Sequence, residues 1–161
     1  MKETPRNEQL IKELISLLTN GNAHVTFKEA VKNIPFEDLG KKPGNLPYSI
    51  WQITEHIRIA QKDILDFSAS NNYVELNWPD DYWPKNIAPV NEAEWENCIK
   101  QINDDLDKFI ELLTTAEDLF KPFEHGSGQN LLREAMLIAD HASYHTGEII
   151  IVRRLLGNWK N

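Results

Sequence analysis

Apolar residues recur at three- and four-residue spacing along most of the chain, while the strict alternation expected of strands is scarce. From Asn7, the positions of Leu10, Ile11, Leu14, Ile15, Leu17 and Leu18 predict an amphipathic helix closed near Asn20-Gly21. Thr26, with Glu29 three residues on, is a capping-box pattern that opens a short helix through Ala30 and Val31, stopping before Pro35. Gly40, Pro43, Gly44 and Asn45 mark residues 35–47 as a loop. A long helix is predicted from about Tyr48 to Ser68, with Ile50, Ile53, Ile57, Ile64 and Phe67 on or near one face.

Residues 71–90 carry Pro79, Pro84 and Pro89 and read as a connection. Asn91 and Glu94 form a second capping-box pattern, opening a helix through Trp95, Ile99, Ile102, Leu106, Phe109, Ile110 and Leu113. After a loop with Pro122, Gly126 and Gly128, the last and longest helix is predicted from about Gln129 to Leu156. Gly157 serves as its C-cap, and Arg153 and Arg154 suit the negative end of its dipole. Four long amphipathic helices, one short helix and long connections predict an all-α four-helix bundle. At 161 residues with no repeat or linker, residues 1–161 read as a single domain.

The balance of 25 acidic against 17 basic residues gives a net charge of −8, which argues against nucleic acid as the main partner. A single cysteine, Cys98, excludes an internal disulfide and any cysteine-rich zinc module, and its helical setting predicts a packed structural thiol. No apolar stretch reaches the ~20 residues needed to span a bilayer, and residues 1–8 lack the apolar core of a leader. Cytoplasmic residence is the expectation.

His141 and His145 lie one helical turn apart, so both imidazoles share one side of the last helix, about 40° apart around its axis. The same stripe carries Glu134, Leu137, Ile138, Glu148 and Val152, the face predicted to pack inward. Polar groups in such a stripe need partners, either hydrogen bonds or a metal. His56 interrupts the stripe of its own helix in the same way, flanked by Gln52, Ile53, Ile59 and Ala60. A three-imidazole site between two helices is therefore geometrically available. Neutral imidazoles suit Zn²⁺ or Ni²⁺, and three ligands leave positions open for water or substrate.

The segment Ser49-Ile50-Trp51-Gln52-Ile53-Thr54-Glu55-His56-Ile57, with Asp140-His141-Ala142-Ser143-Tyr144-His145-Thr146-Gly147-Glu148 and Arg153-Arg154-Leu155-Leu156-Gly157, resembles the DinB/YfiT-like family. The resemblance covers nearly the whole chain in the order and length of its helices. It implies a four-helix bundle holding a divalent metal on three histidines, here His56, His141 and His145. Where many members of that family have Gln three residues after the last histidine, this chain has Glu148. A carboxylate there can be a fourth ligand, orient or deprotonate a bound water, or pair with Arg58 or another basic residue.

The resemblance also implies an enzyme, best read as a metal-assisted S-transferase joining a low-molecular-weight thiol to a small electrophile. A metal-dependent hydrolase and a non-catalytic stress-response protein are the alternatives, and a homodimer is compatible with such bundles. Glu148 and Tyr144 are the catalytic candidates, with core packing the plainer role for Tyr144. Di-iron carboxylate chemistry is disfavoured because Glu-x-x-His is absent, and zincin protease chemistry because His-Glu-x-x-His is absent.

Several residues carry smaller expectations. Asp63 lies two turns beyond His56 and reads first as a solvated charge, second as support for a metal ligand. Gly147, mid-helix, predicts close approach of a neighbour, packing before ligand. His24 and His125 read as surface residues. The tryptophans and tyrosine of residues 78–84 predict a connection that folds back on the bundle, with shaping of the pocket mouth as the sharper alternative.

Overall fold

The computed structural model describes residues 5–159, and among these it contains five α-helices and no strand. They are α1 (Pro5–Thr19), α2 (Phe27–Ala30), α3 (Ile50–Ala69), α4 (Glu92–Thr115) and α5 (Leu131–Leu155), with a 3-10 turn at Phe36–Asp38. The helix starts follow from side-chain capping. Thr26 and Glu29 make the reciprocal bonds predicted for α2. Ser49 and Gln52 make an equivalent pair at α3, moving its start past Tyr48. Asn91 caps α4 at 2.9 Å through the Glu94 N–H, but the Glu94 carboxylate accepts from Val90 N–H rather than from Asn91, so the box is not closed. Asn130 caps α5 through the Arg133 N–H. At the far end of α5, Gly157 takes φ +75° and its N–H reaches the Arg154 carbonyl, as a left-handed C-terminal glycine should.

The core divides into two clusters, and their membership fixes the topology. One joins Ile50, Ile53 and Ile57 from the first half of α3 to Cys98 and Ile102 from the first half of α4, with Ile149 and Val152 from the end of α5. The other joins Ile64 and Leu65, Phe109 and Leu113, Ala135 and Ile138, and Leu14 of α1. First halves share one cluster and second halves the other, so α3 and α4 run parallel and α5 runs against them. A parallel pair cannot be joined by a short turn, so residues 70–91 must travel the length of the bundle. Cys98 is buried and its thiol is pushed up by that burial, which suits the packed role predicted for it.

Arg153 departs from the helix-end role predicted from its position. Its side chain is buried, with Nη1 donating to the Ala30 and Lys32 carbonyls at 2.7 and 3.1 Å, and Nε and Nη2 donating to Asn158. It ties the end of α2 to the end of α5. None of the described helices is long and apolar enough to cross a membrane.

Candidate metal centre

Each predicted ligand reaches the site by helix periodicity. His141 and His145 stand one turn apart on α5, and His56 faces them from α3. Candidate ligand atoms of the three rings lie within 4.8 Å of one another, and the Nε2 atoms of His56 and His141 are 3.0 Å apart. His56 and His145 are buried and His141 is half-buried.

Hydrogen bonds outside the cluster set which nitrogen two of the rings offer. His56 Nδ1 donates to the Tyr82 carbonyl at 2.8 Å, leaving the Nε2 lone pair directed at His141. His145 Nδ1 donates to the Glu148 carboxylate at 2.7 Å, which frees its Nε2 in the same way. Burial lowers the pKa of His141 to about 4, helped by His145 and His56, and burial with His56 lowers His145 to about 4. Burial also lowers His56, against the opposing effects of the Tyr82 bond and Glu148. All three rings are therefore neutral at pH 7, the protonation state a metal needs. Uncharged nitrogen donors converging from two helices fit a divalent ion of the zinc type.

The crossover between α3 and α4 completes the site. It is pinned along one face of α3 at positions spaced by about one or two turns. Asp63 accepts from the hydroxyls of Tyr73 and Tyr82 at 2.8 and 2.6 Å. His56 binds the Tyr82 carbonyl, Gln52 donates to the Pro84 carbonyl at 3.4 Å, and Ser49 donates to the Ile87 carbonyl at 2.5 Å. Trp83 stacks on His56 with ring centroids 4.0 Å apart and planes 4° from parallel, and Tyr48 stacks on the other face of the indole at 3.8 Å. The connection thus folds back on the bundle, as predicted, and also covers a ligand ring. Trp78 is the exception, with its side chain 70% exposed.

Asp63 is not a free helix charge. It holds Tyr82, and Tyr82 holds His56. Glu148 does not pair with Arg58, which binds Glu55 through two hydrogen bonds. The Glu148 carboxyl sits above its usual range because of burial, opposed by the Tyr144 hydroxyl and by His56. Tyr144 is 65% exposed rather than packed in the core, its ring edge-on to His145 at 4.9 Å. A Cβ added at Gly147 would meet nothing within 4 Å, so no close neighbour explains that glycine. His24 is a surface residue, as expected, with its ring 3.0 Å from the Ser143 hydroxyl, whereas His125 is half-buried and bridges Asn71 and the Phe67 carbonyl. For Asp63 the second of the two sequence readings, support for a ligand, is the one that fits. The specific contacts of Tyr82 and Trp83 with His56 were missed, and only the aromatic density of residues 78–84 pointed to them.

A family model for the DinB superfamily matches residues 22–149, a span that includes His56, His141 and His145. No curated protein and no solved structure matches the chain significantly.

Proposed function

The chain belongs to the DinB superfamily, and from that premise we propose that it is a metal-dependent enzyme, an S-transferase that joins a low-molecular-weight thiol to a small electrophile. The observation that carries this reading is the trio of neutral imidazoles, two of which, His56 and His145, donate through Nδ1 to the Tyr82 carbonyl and the Glu148 carboxylate and so keep Nε2 free. His56, His141 and His145 would hold the ion, zinc or nickel by donor type. A bound divalent ion supplies Lewis acidity, which makes a thiol or a water nucleophilic at neutral pH. Three ligands leave room for that nucleophile.

The protein's own groups do the rest. Glu148, half-buried and already bonded to His145, would accept the proton that the thiol sheds. The sulfur bonds the electrophilic carbon while the bond from that carbon to its leaving group breaks, the group departing as an anion. Trp83 keeps the His56 ring in place and shields its face from water. Tyr144, exposed beside His145, is the residue we assign to meeting the electrophile.

The test is metal content of protein purified without a histidine tag, wild type beside His141→Ala. One equivalent of zinc or nickel in the wild type and loss in the variant is expected. Equal trace metal in both would end the proposal. Metal-loaded protein is then given a panel of cellular thiols with a generic alkylating electrophile, and separately an ester. Thiol consumption is expected; ester turnover without thiol consumption would transfer the assignment to a hydrolase.

A further inference from the structure

A cavity of about 660 Å³ opens between the end of α1, the 20–28 loop and helices α3, α4 and α5. It is separate from the histidine cluster. Ile57, Ala142 and Thr146 line it, each one residue along from a candidate ligand, and none of the three histidines does. Its position is the gap between the two core clusters, where Leu18, Phe27, Ile102, Leu106 and Ile138 form apolar walls. The size falls within the range usual for small-molecule sites.

Two buried polar side chains face this apolar space. Gln61 is 5% exposed and spends its amide on the Ile102 carbonyl at 2.6 Å, leaving Oε1 without a partner among the described residues. Thr146 is 2% exposed and its hydroxyl makes no hydrogen bond among the described residues, unlike Thr54, which bonds back to Ile50. An unanswered polar atom in an apolar pocket favours a ligand group that completes it. At the mouth, Asp107 and Asp140 are exposed and neither is in an ion pair among the described residues, while Lys28 is the one lysine lining the cavity. His24 and Ser143, bonded to each other at 3.0 Å, hold the loop across one side of that mouth.

We propose that this cavity binds an amphiphilic amine: an apolar middle against the walls, a hydrogen-bonding hydroxyl at the inner end on Gln61 and Thr146, and an ammonium at the mouth beside Asp107 and Asp140. The acidic rim rejects a carboxylate of the same shape. The site requires no metal and is independent of the histidine cluster.

Calorimetric titration tests it with three probes of one chain length: an ω-aminododecanol, dodecylamine and ω-hydroxydodecanoate. The amino alcohol is expected to bind tightest, the simple amine about tenfold more weakly for want of the inner hydroxyl, and the carboxylate not measurably. Thr146→Val should bring the amino alcohol down to the level of the amine. The surface pair Asp107→Asn with Asp140→Asn should erase the preference for amine over carboxylate, and Ala139→Trp should fill the cavity and abolish binding. Binding in His141→Ala is expected to match the wild type; loss there would assign the ligand to the histidine site and overturn the proposal. Equal affinity for all three probes, no binding of any, or retained affinity in Ala139→Trp would overturn it as well. The two aspartate substitutions lie on the surface and leave the fold intact, so the charge preference is decided even if the tryptophan variant fails to fold.

Discussion

Removing the Glu148 carboxylate isolates what the His145 hydrogen bond contributes to metal affinity. The bond is 2.7 Å from Nδ1 to Oε2, and the imidazole side chain is only 9% exposed, so the pair is short and charge-assisted. Hydrogen bonds to charged groups contribute about 1.5–3 kcal/mol. The Glu148 side chain is 32% exposed, and water screens it in part, which sets the expectation at the low end. About 1.5 kcal/mol corresponds to roughly tenfold in affinity, within the range usual for groups that orient metal-bound histidines. Glu148→Ala should therefore bind zinc about tenfold more weakly than the wild type. Glu148→Gln, which keeps an acceptor for the Nδ1 proton but not the charge, should lose only about threefold. Competition against a chromophoric chelator at neutral pH reads both directly. Wild-type affinity in Glu148→Ala would refute the reasoning, and so would an equal loss in both variants, which would make charge rather than orientation the whole effect.

Burial, with the bond to Asp63 helping, raises Tyr73 from its usual value of 10.0 to about 12. A raised folded-state value means that its contribution to stability is complete below pH 10 and is lost as pH rises from there to about 12. Denaturant midpoints should fall across that window, and Asp63→Asn should lower the tyrosinate titration followed by ultraviolet difference absorbance; an unmoved titration would count against the Asp63 contact. Arg153→Met strands the buried Ala30 carbonyl and frees the end of α2, so urea unfolding should show a loss of about 3 kcal/mol; less than about 1 kcal/mol would mean water replaces the guanidinium. Gly147→Ala, with open space around the new methyl, should stabilise the chain by about 0.5–1 kcal/mol, seen as a higher denaturant midpoint with unchanged metal content.

Local chemistry was well written in the sequence. The Thr26–Glu29 box, the Asn91 cap and the Gly157 terminus each depend on a few neighbouring residues, and each is found where the pattern placed it. The three histidines were legible for a related reason, since helix periodicity fixes His141 against His145 and an interrupted apolar stripe marks His56. What escaped were contacts between distant segments. The bond from His56 to the Tyr82 carbonyl spans 26 residues and the Arg153 bond to Ala30 spans 123, and no local spacing encodes either. Asn91 and Glu94 show the same limit at short range, because Val90 N–H competes for the carboxylate and takes it. Gln61 and Thr146 face an apolar space that only the packing of separate helices creates, so no spacing along the chain singles them out.

Because α3 and α4 point the same way, their link has to run back along the barrel, and here it runs over the His56 edge of the cluster. Its early stretch, between Ser70 and Trp78, is gripped at Tyr73 and lies on the outside of the bundle. Lengthening or shortening that stretch would leave the helices in register while tilting Tyr82 and Trp83. The doorway to the imidazoles can therefore be remodelled by insertion or deletion, with the frame that carries them left undisturbed.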